Sequence, residues 1–89
     1  MERTVTVAIL EGLHARPAAL FVQEASKQPA PVTLTAPDED PVDADSIFGV
    51  MTLGVAAGMQ VVLRTENDDA DAHASIEALA AFLGQETVQ

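Results

Sequence analysis

The sequence has no cysteine among its 89 residues, and only four of its residues are basic. Without cysteine, neither a disulfide framework nor a thiolate metal site can form, and nothing opposes a cytosolic location. The four basic residues are outnumbered by 14 acidic ones, which gives a formal net charge of −10. Because nucleic acids and anionic membranes repel so acidic a chain, both are disfavoured as partners.

Long apolar runs are also missing. No segment approaches the roughly 20 apolar residues of a membrane-spanning helix. The first residues, Met1 to Thr4, lack the basic region and apolar run of a secretory signal. The length suits one small domain with a single modest core, which we expect to cover residues 1–89. We therefore expect a soluble, cytoplasmic monomer with no bound metal or cofactor.

Hydrophobic periodicity predicts four strands and three helices. The strands are predicted at Thr4 to Leu10, Val32 to Ala36, Pro41 to Ala44 and Gln60 to Thr65, the third at a sheet edge because it begins with proline. The helices are predicted at Ala15 to Lys27, Ser46 to Leu53 and from about Asp69 to Leu83. The order is therefore βαββαβα. Each strand has a single apolar face, which indicates an α+β fold whose mostly antiparallel sheet is covered by helices on one side.

The segment from Gly12 to Ala19 is the strongest candidate for chemistry. Gly12 interrupts the strand pattern, and Pro17 marks a first helical turn, where a missing N–H costs nothing. His14 therefore lies where the free N–H groups and the positive dipole end of a helix can stabilise an anion. Arg16, two residues later, can offer paired donors to phosphoryl oxygens. These residues together predict a site that holds a phosphoryl group.

Less specific interpretations compete with this one. His14 alone could be an ordinary surface histidine near a helix cap, and Arg16 a solvated residue of the first turn with no core contacts. The other histidine, His73, is followed four residues later by Glu77 on the last predicted helix. That spacing predicts a surface ion pair rather than a second phosphoryl acceptor.

The short middle helix carries a second group of candidates. Ser46 is well suited to the N-cap position. Helical spacing alone assigns some of the residues Ile47, Phe48 and Met51 to the core. An alternative is a divided role, with one side packed inward and the other exposed as an apolar patch for partner proteins.

Two strings in this sequence resemble the HPr family, the histidine-containing phosphocarriers of the bacterial phosphoenolpyruvate:sugar phosphotransferase system. They are Gly12-Leu13-His14-Ala15-Arg16-Pro17-Ala18 and Asp45-Ser46-Ile47-Phe48-Gly49-Val50-Met51-Thr52-Leu53-Gly54, the latter followed by Ala57-Gly58. The resemblance implies an open-faced β-sandwich of four antiparallel strands and three helices. It also implies a stoichiometric carrier rather than an enzyme, which accepts a phosphoryl group from enzyme I and passes it to enzyme IIA. The acceptor atom would be Nδ1 of His14, with Arg16 stabilising the charge.

The resemblance further implies regulation and docking. Ser46 aligns with a serine that a dedicated kinase phosphorylates in many relatives, where the product signals to a transcriptional regulator. Partner binding is expected at Ile47, Phe48, Met51 and Lys27. Few lysines surround this patch, unlike in many relatives, and Arg16 and Lys27 are the cations expected near it. Two alternatives stay open: a regulatory, nitrogen-type signalling module not coupled to sugar uptake, and an α+β domain that carries no phosphoryl group.

Overall fold

A computed structural model describes residues 1–88 and contains the predicted elements in the predicted order. The strands are β1 (Glu2–Thr6), β2 (Thr33–Thr35), β3 (Val42–Asp43) and β4 (Gln60–Arg64), and the helices are α1 (Ala15–Ser26), α2 (Ile47–Thr52) and α3 (Ala70–Leu83). The strands form one open antiparallel sheet in the order β1-β4-β2-β3. The predicted fold class is confirmed.

The central strand β4 organises the sheet. Its register with β1 runs from Glu2 opposite Arg64 to Thr6 opposite Gln60, and β2 pairs with its other edge. Val61 and Leu63 on β4 are completely buried, as their alternation predicts. The strand β3, which follows a proline, lies at the sheet edge, where a missing backbone donor is tolerated.

The first strand differs from its prediction. It begins at Glu2 and ends at Thr6, whereas the apolar alternation predicts a strand from Thr4 to Leu10. Beyond Thr6 the backbone N–H groups find acceptors outside the sheet, in the carbonyls of Met59, Leu83 and Glu86. Val7 and Ile9 are nevertheless buried. The apolar alternation therefore predicts which side chains face the core. It does not predict which residues pair in the sheet.

The three helices cover one face of the sheet and share one core. In α1, Ala18 and Phe21 are buried, and Phe21 meets Phe82 of α3 edge to face with ring centroids 5.5 Å apart. The predicted apolar side of α3 is buried along its whole length, at Ala72, Ile76, Leu79, Ala80 and Leu83. None of the helices within residues 1–88 is long and apolar enough to span a membrane.

Candidate functional site

A tight loop delivers the chain to the start of α1. Gly12 has a φ of +70°, and its N–H donates to the carbonyl of Ile9. The next residue, Leu13, is completely buried and donates its N–H to the carbonyl of Val55 at 2.9 Å. A Cβ on Gly12 would lie 2.5 Å from that same carbonyl oxygen. Glycine is therefore required here both for the left-handed backbone and for the close approach.

His14 follows this loop as the exposed N-cap residue of α1. Its backbone is extended, with φ −122° and ψ 153°, and its side chain makes no capping hydrogen bond. The first turn of α1 contains no acidic residue. Pro17 is the third helical residue, so Ala15 and Arg16 supply the N–H groups that have no acceptor within the helix. The N-terminus of α1 is thus open to an incoming anion, and the exposed imidazole is not used to cap the helix.

The residue between His14 and Arg16 has an unusual backbone. Ala15 has a φ of +47°, in the left-handed region, which costs a residue with a Cβ on the order of 1–3 kcal/mol. Buried residues on either side, Leu13 and Pro17, anchor the chain and so maintain this conformation. The reversal at Ala15 sets the directions in which the two neighbouring side chains leave the backbone.

Arg16 is exposed, as predicted, but its guanidinium is not free. Nη1 donates to the backbone carbonyl of Val88 at 2.7 Å. Val88 itself is only 8% exposed and belongs to the hydrophobic core. The expectation that the Arg16 side chain is wholly solvated is therefore wrong, although its contact is with a backbone carbonyl and not with the apolar side chains of the core. The hydrogen bond joins the first turn of α1 to the segment that follows α3, 72 residues away in sequence.

The predicted pairing of His73 with Glu77 is also wrong. Nε2 of His73 lies 2.6 Å from Oδ1 of Asp68, in the turn before α3. Glu77 instead forms an ion pair with Arg3 of β1. The i,i+4 spacing allows a pair within the helix, but the Glu77 carboxylate pairs with an arginine of another element. His73 is thus a surface residue already engaged by a carboxylate.

Ser46 is the N-cap residue of α2, as predicted. Its Oγ accepts a hydrogen bond from the N–H of Gly49 at 3.2 Å. The apolar residues of α2 that follow it divide between the core and the surface, as the divided role predicts. Ile47 packs against the core, whereas Phe48 is 84% exposed and Met51 47% exposed. A third large apolar side chain, Leu10, is 67% exposed.

The exposure of Leu10 was not predicted. It follows Ile9 directly, and two adjacent residues of an extended chain cannot both face the core. The adjacency of Ile9 and Leu10 could therefore have predicted that one of them is exposed.

Charge is distributed unevenly between the helices near His14 and the rest of the molecule. The helix α1 with its C-cap residue carries Arg16, Glu24 and Lys27, and α2 carries no charged residue. The other 13 carboxylates lie elsewhere. Lys27 stands at the opposite end of α1 from His14, about 20 Å along the helix axis. The surface formed by α1 and α2 is thus close to neutral in a strongly acidic protein.

No cluster of three or more histidine or acidic side chains within residues 1–88 is arranged to hold a metal ion. A groove of about 390 Å³ runs between β1 and α3, lined in part by Arg3, Thr6 and Glu77, and His14 is not among its lining residues. The candidate phosphoacceptor is therefore on the open surface. Such a position gives another protein direct access to the imidazole.

A family model described as "PTS HPr component phosphorylation site" matches residues 1–85. The fold and this match define a phosphocarrier of the phosphotransferase system rather than an enzyme. The chain belongs to the HPr family.

Individual relatives agree with this assignment. The phosphocarrier protein HPr of Haloferax volcanii is 49% identical over 84 residues, which are 93% of this chain and 92% of the relative. The HPr-like protein Crh of Bacillus subtilis is 41% identical over 86 residues, with 97% and 98% of the two chains covered. The crystal structure of HPr from Bacillus anthracis superposes with a TM-score of 0.85 at 41% identity, covering 93% of this chain and 95% of the other.

Proposed function

We propose that His14 is the residue that carries the phosphoryl group, and that Arg16 stabilises it. One observation carries this proposal: an exposed imidazole stands at an open helix N-terminus, makes no capping hydrogen bond and lies two residues from a guanidinium. The phosphoryl group would arrive from enzyme I and leave to an enzyme IIA domain, the partners that membership of the HPr family implies.

The chemistry expected of these groups is reversible transfer between nitrogen atoms. A ring nitrogen of His14 attacks the phosphorus as the bond to the donor histidine breaks, in line with the leaving nitrogen. The N–H groups of Ala15 and Arg16 and the helix dipole stabilise the resulting dianion by about 0.3–1 kcal/mol, and by up to about 2 kcal/mol where they are partly buried. This modest stabilisation leaves the phosphoryl group transferable. A deep well would trap it.

The test is phosphoenolpyruvate-dependent labelling with enzyme I, followed by mass spectrometry for one acid-labile phosphate. His14→Ala should abolish the label while circular dichroism reports an intact fold. His73→Ala is the matched control, because it removes the other exposed histidine, which is bonded to Asp68, and it should label normally. A label that survives His14→Ala, or that is lost in His73→Ala, contradicts the assignment.

The surface formed by α1 and α2 is the proposed docking face for both partners. Phe48 and Met51 supply exposed apolar area, and α2 itself carries no carboxylate that would repel an acidic partner. Lys27 marks the far end of this face, where it would contact an acidic rim on the partner. A partner that covers the face would exclude water from His14 at the moment of transfer.

A second proposed function is regulation through Ser46. The similarity to the HPr-like protein Crh favours a signalling role beside transfer, and the Ser46 hydroxyl lies at the edge of the docking face. A kinase-added phosphate would bring a charge of nearly −2 to a surface that has few cations to offset it. Docking of enzyme I would weaken, and a transcriptional regulator could recognise the new anion. The alternative is a nitrogen-type signalling module whose phosphorylation state is read by other proteins rather than delivered to sugars, and a sugar-specific membrane permease in the genome would favour transport over it.

Ser46→Asp tests this second function. Aspartate retains the N-cap, so folding should be unchanged, while the added charge should raise the KM for this protein in the enzyme I reaction with less effect on kcat. Ser46→Asn is the matched control, because it keeps the cap without the charge. Enzymatic phosphorylation of Ser46 should give a larger effect than Ser46→Asp. The regulatory proposal fails if phosphoserine at this position changes neither transfer kinetics nor the set of bound proteins.

A further inference from the structure

We infer that Met51 is a site of reversible oxidation by peroxides, and that its sulfoxide weakens docking of the proteins that exchange the phosphoryl group with this chain. The inference rests on the proposed docking face for enzyme I and enzyme IIA. It adds to that face a modification site whose chemistry is unrelated to the phosphorylation proposed for Ser46.

Few side chains in this molecule can react with a peroxide. The sequence has no cysteine, tryptophan or tyrosine, and it has three methionines. A thioether sulfur is therefore the atom of this chain that a peroxide oxidises most readily. The response of the folded protein to such an oxidant depends on which methionine sulfur the solvent can reach.

The three methionines differ in burial. Met1 and Met59 are partly buried and pack against the hydrophobic core. The sulfur of Met59 also accepts a hydrogen bond from the N–H of Ala56 at 3.1 Å, which engages one of its lone pairs. Met51, by contrast, is 47% exposed on α2. We therefore expect a peroxide to oxidise Met51 first.

Met51 lies where a change of polarity affects docking. It follows Phe48, which is 84% exposed, by three residues, so the two side chains are neighbours on the surface of α2. The chain that follows α2 runs beside the residue that precedes His14, because the carbonyl of Val55 accepts from the N–H of Leu13 at 2.9 Å. Since α2 carries no charged residue, apolar contact is the main attraction that this helix offers to a partner.

The oxidation is a two-electron reaction. The Met51 sulfur attacks one oxygen of hydrogen peroxide, an S–O bond forms as the O–O bond breaks, and both protons leave with the other oxygen as water. Sulfur is oxidised by two electrons, and the peroxide is reduced by two. The product is a sulfoxide, which is polar where the thioether is apolar, and methionine sulfoxide reductases reverse the change. A partner that packs an apolar surface against the sulfoxide strips water from its oxygen, which disfavours binding.

The order of oxidation can be measured without any partner protein. After limited treatment with hydrogen peroxide, peptide mass spectrometry should find the first added oxygen atom on Met51, with Met1 and Met59 oxidised several-fold more slowly. In urea, which removes the fold, the three residues should react at similar rates. If Met1 or Met59 reacts as fast as Met51 in the folded protein, the inference is overturned.

The consequence for docking is measured by comparing each protein, freed of peroxide, with its own untreated sample. Oxidation of Met51 should raise the KM for this protein in transfer from enzyme I by roughly three- to tenfold, the scale of one weakened interface contact, with less effect on kcat. Met51→Leu, which is apolar but has no sulfur, should show the same kinetics before and after peroxide. Met59→Leu is the matched control and should respond to peroxide as the native protein does. Met51→Gln should raise the KM without an oxidant.

Reduction separates the sulfoxide from other damage. A methionine sulfoxide reductase with a dithiol should remove the added oxygen and restore the original KM. The inference is overturned if the KM stays high after the oxygen is removed, or if Met51 is fully oxidised and the KM is unchanged while His14 labels normally. If the untreated protein is never labelled at His14, the proposed function fails instead, and the order of oxidation still decides whether Met51 is the reactive site.

Discussion

Two helix N-termini in this molecule are built in opposite ways. At α3, the carboxylate of Asp69 accepts from the N–H of Ala72 at 2.9 Å, and Asp71 adds a second negative charge to the first turn. At α1, the N-cap residue is His14, no carboxylate lies in the first turn and the side chain forms no cap. The first terminus satisfies one of its free N–H groups with its own side chain. The second leaves them for another group.

The difference shows what a helix gives up when its N-terminus is left without a capping carboxylate. A carboxylate at a helix N-terminus contributes capping and dipole stabilisation continuously. Leaving the terminus of α1 open gives up that stabilisation, and the left-handed Ala15 adds a further cost. Both are compensated by tight packing around the preceding loop, where Leu13 is completely buried. A transferable anion can then occupy the donors for part of the time.

The largest expected effect comes from breaking the loop that supports the open terminus. Gly12→Ala adds a Cβ at 2.5 Å from the Val55 carbonyl oxygen, in a backbone with positive φ. We expect a loss of about 2–4 kcal/mol in the free energy of unfolding, from left-handed strain and overpacking together. Urea denaturation measures this loss.

Gly58→Ala is the control for that prediction. Gly58 also has a positive φ, at +88°, but an added Cβ would meet nothing within 4 Å. Only the backbone strain applies, so we expect a loss of about 1–2 kcal/mol. Equal losses at the two positions would contradict the idea that close packing under the loop maintains the open terminus.

The next largest effect is expected at Arg16, the cation that lies in the first turn of α1. Arg16→Ala should slow phosphoryl transfer by about tenfold or more, corresponding to a charge-assisted contact of about 1.5–3 kcal/mol. Its stability should fall by no more than about 1.5 kcal/mol, the upper range for the single hydrogen bond to Val88. Single-turnover transfer from phosphorylated enzyme I and urea unfolding measure the two quantities.

Arg64→Ala changes the net charge by the same amount at a distant position. Arg64 is exposed on β4 and pairs with Glu2 at 3.2 Å. Surface pairs of this kind contribute little, so neither transfer nor stability should change by much. If Arg64→Ala slows transfer as strongly as Arg16→Ala, general electrostatic attraction explains the rate and the local role of Arg16 is wrong.

The sequence predicted the N-terminus of α3. At α1 it predicted that His14 and Arg16 lie at the helix start, but not that Arg16 contacts Val88. Local signals were sufficient where the cause is local: Asp69 near a helix start, the N-cap at Ser46, and the apolar side of α3. The buried side chains of the segment predicted as the first strand were also predicted correctly, although its pairing was not. Val7 and Ile9 alternate correctly, but their neighbours bond to elements that lie far away in the chain.

Two of the three contacts that escaped prediction join residues more than 70 positions apart, whereas His73 and Asp68 are five positions apart. Glu77 forms an ion pair with Arg3, and His73 bonds to Asp68 instead. Arg16 donates to the backbone carbonyl of Val88. No periodicity encodes such pairs, because each depends on which elements the completed fold brings together. The motif proposes His14 as the phosphoacceptor, whereas no motif predicts the contact between Arg16 and the carbonyl of Val88.

The last prediction tests the comparison of the two helix N-termini directly. One substitution removes the cap of α3, and another adds a cap to α1. Asp69→Ala removes the cap of α3 and should cost about 1 kcal/mol in the free energy of unfolding. His14→Asn supplies a good capping residue to α1, whose N-cap backbone is already extended. Because Pro17 has no N–H, the new amide oxygen finds its donor in Arg16, and the gain should be only about 0.5 kcal/mol. Urea unfolding measures both changes, and the labelling assay should show that the stabilised His14→Asn protein accepts no phosphate. A loss of stability in His14→Asn would mean that the α1 terminus is not open in the native protein, and that His14 contributes to the fold as well as to transfer.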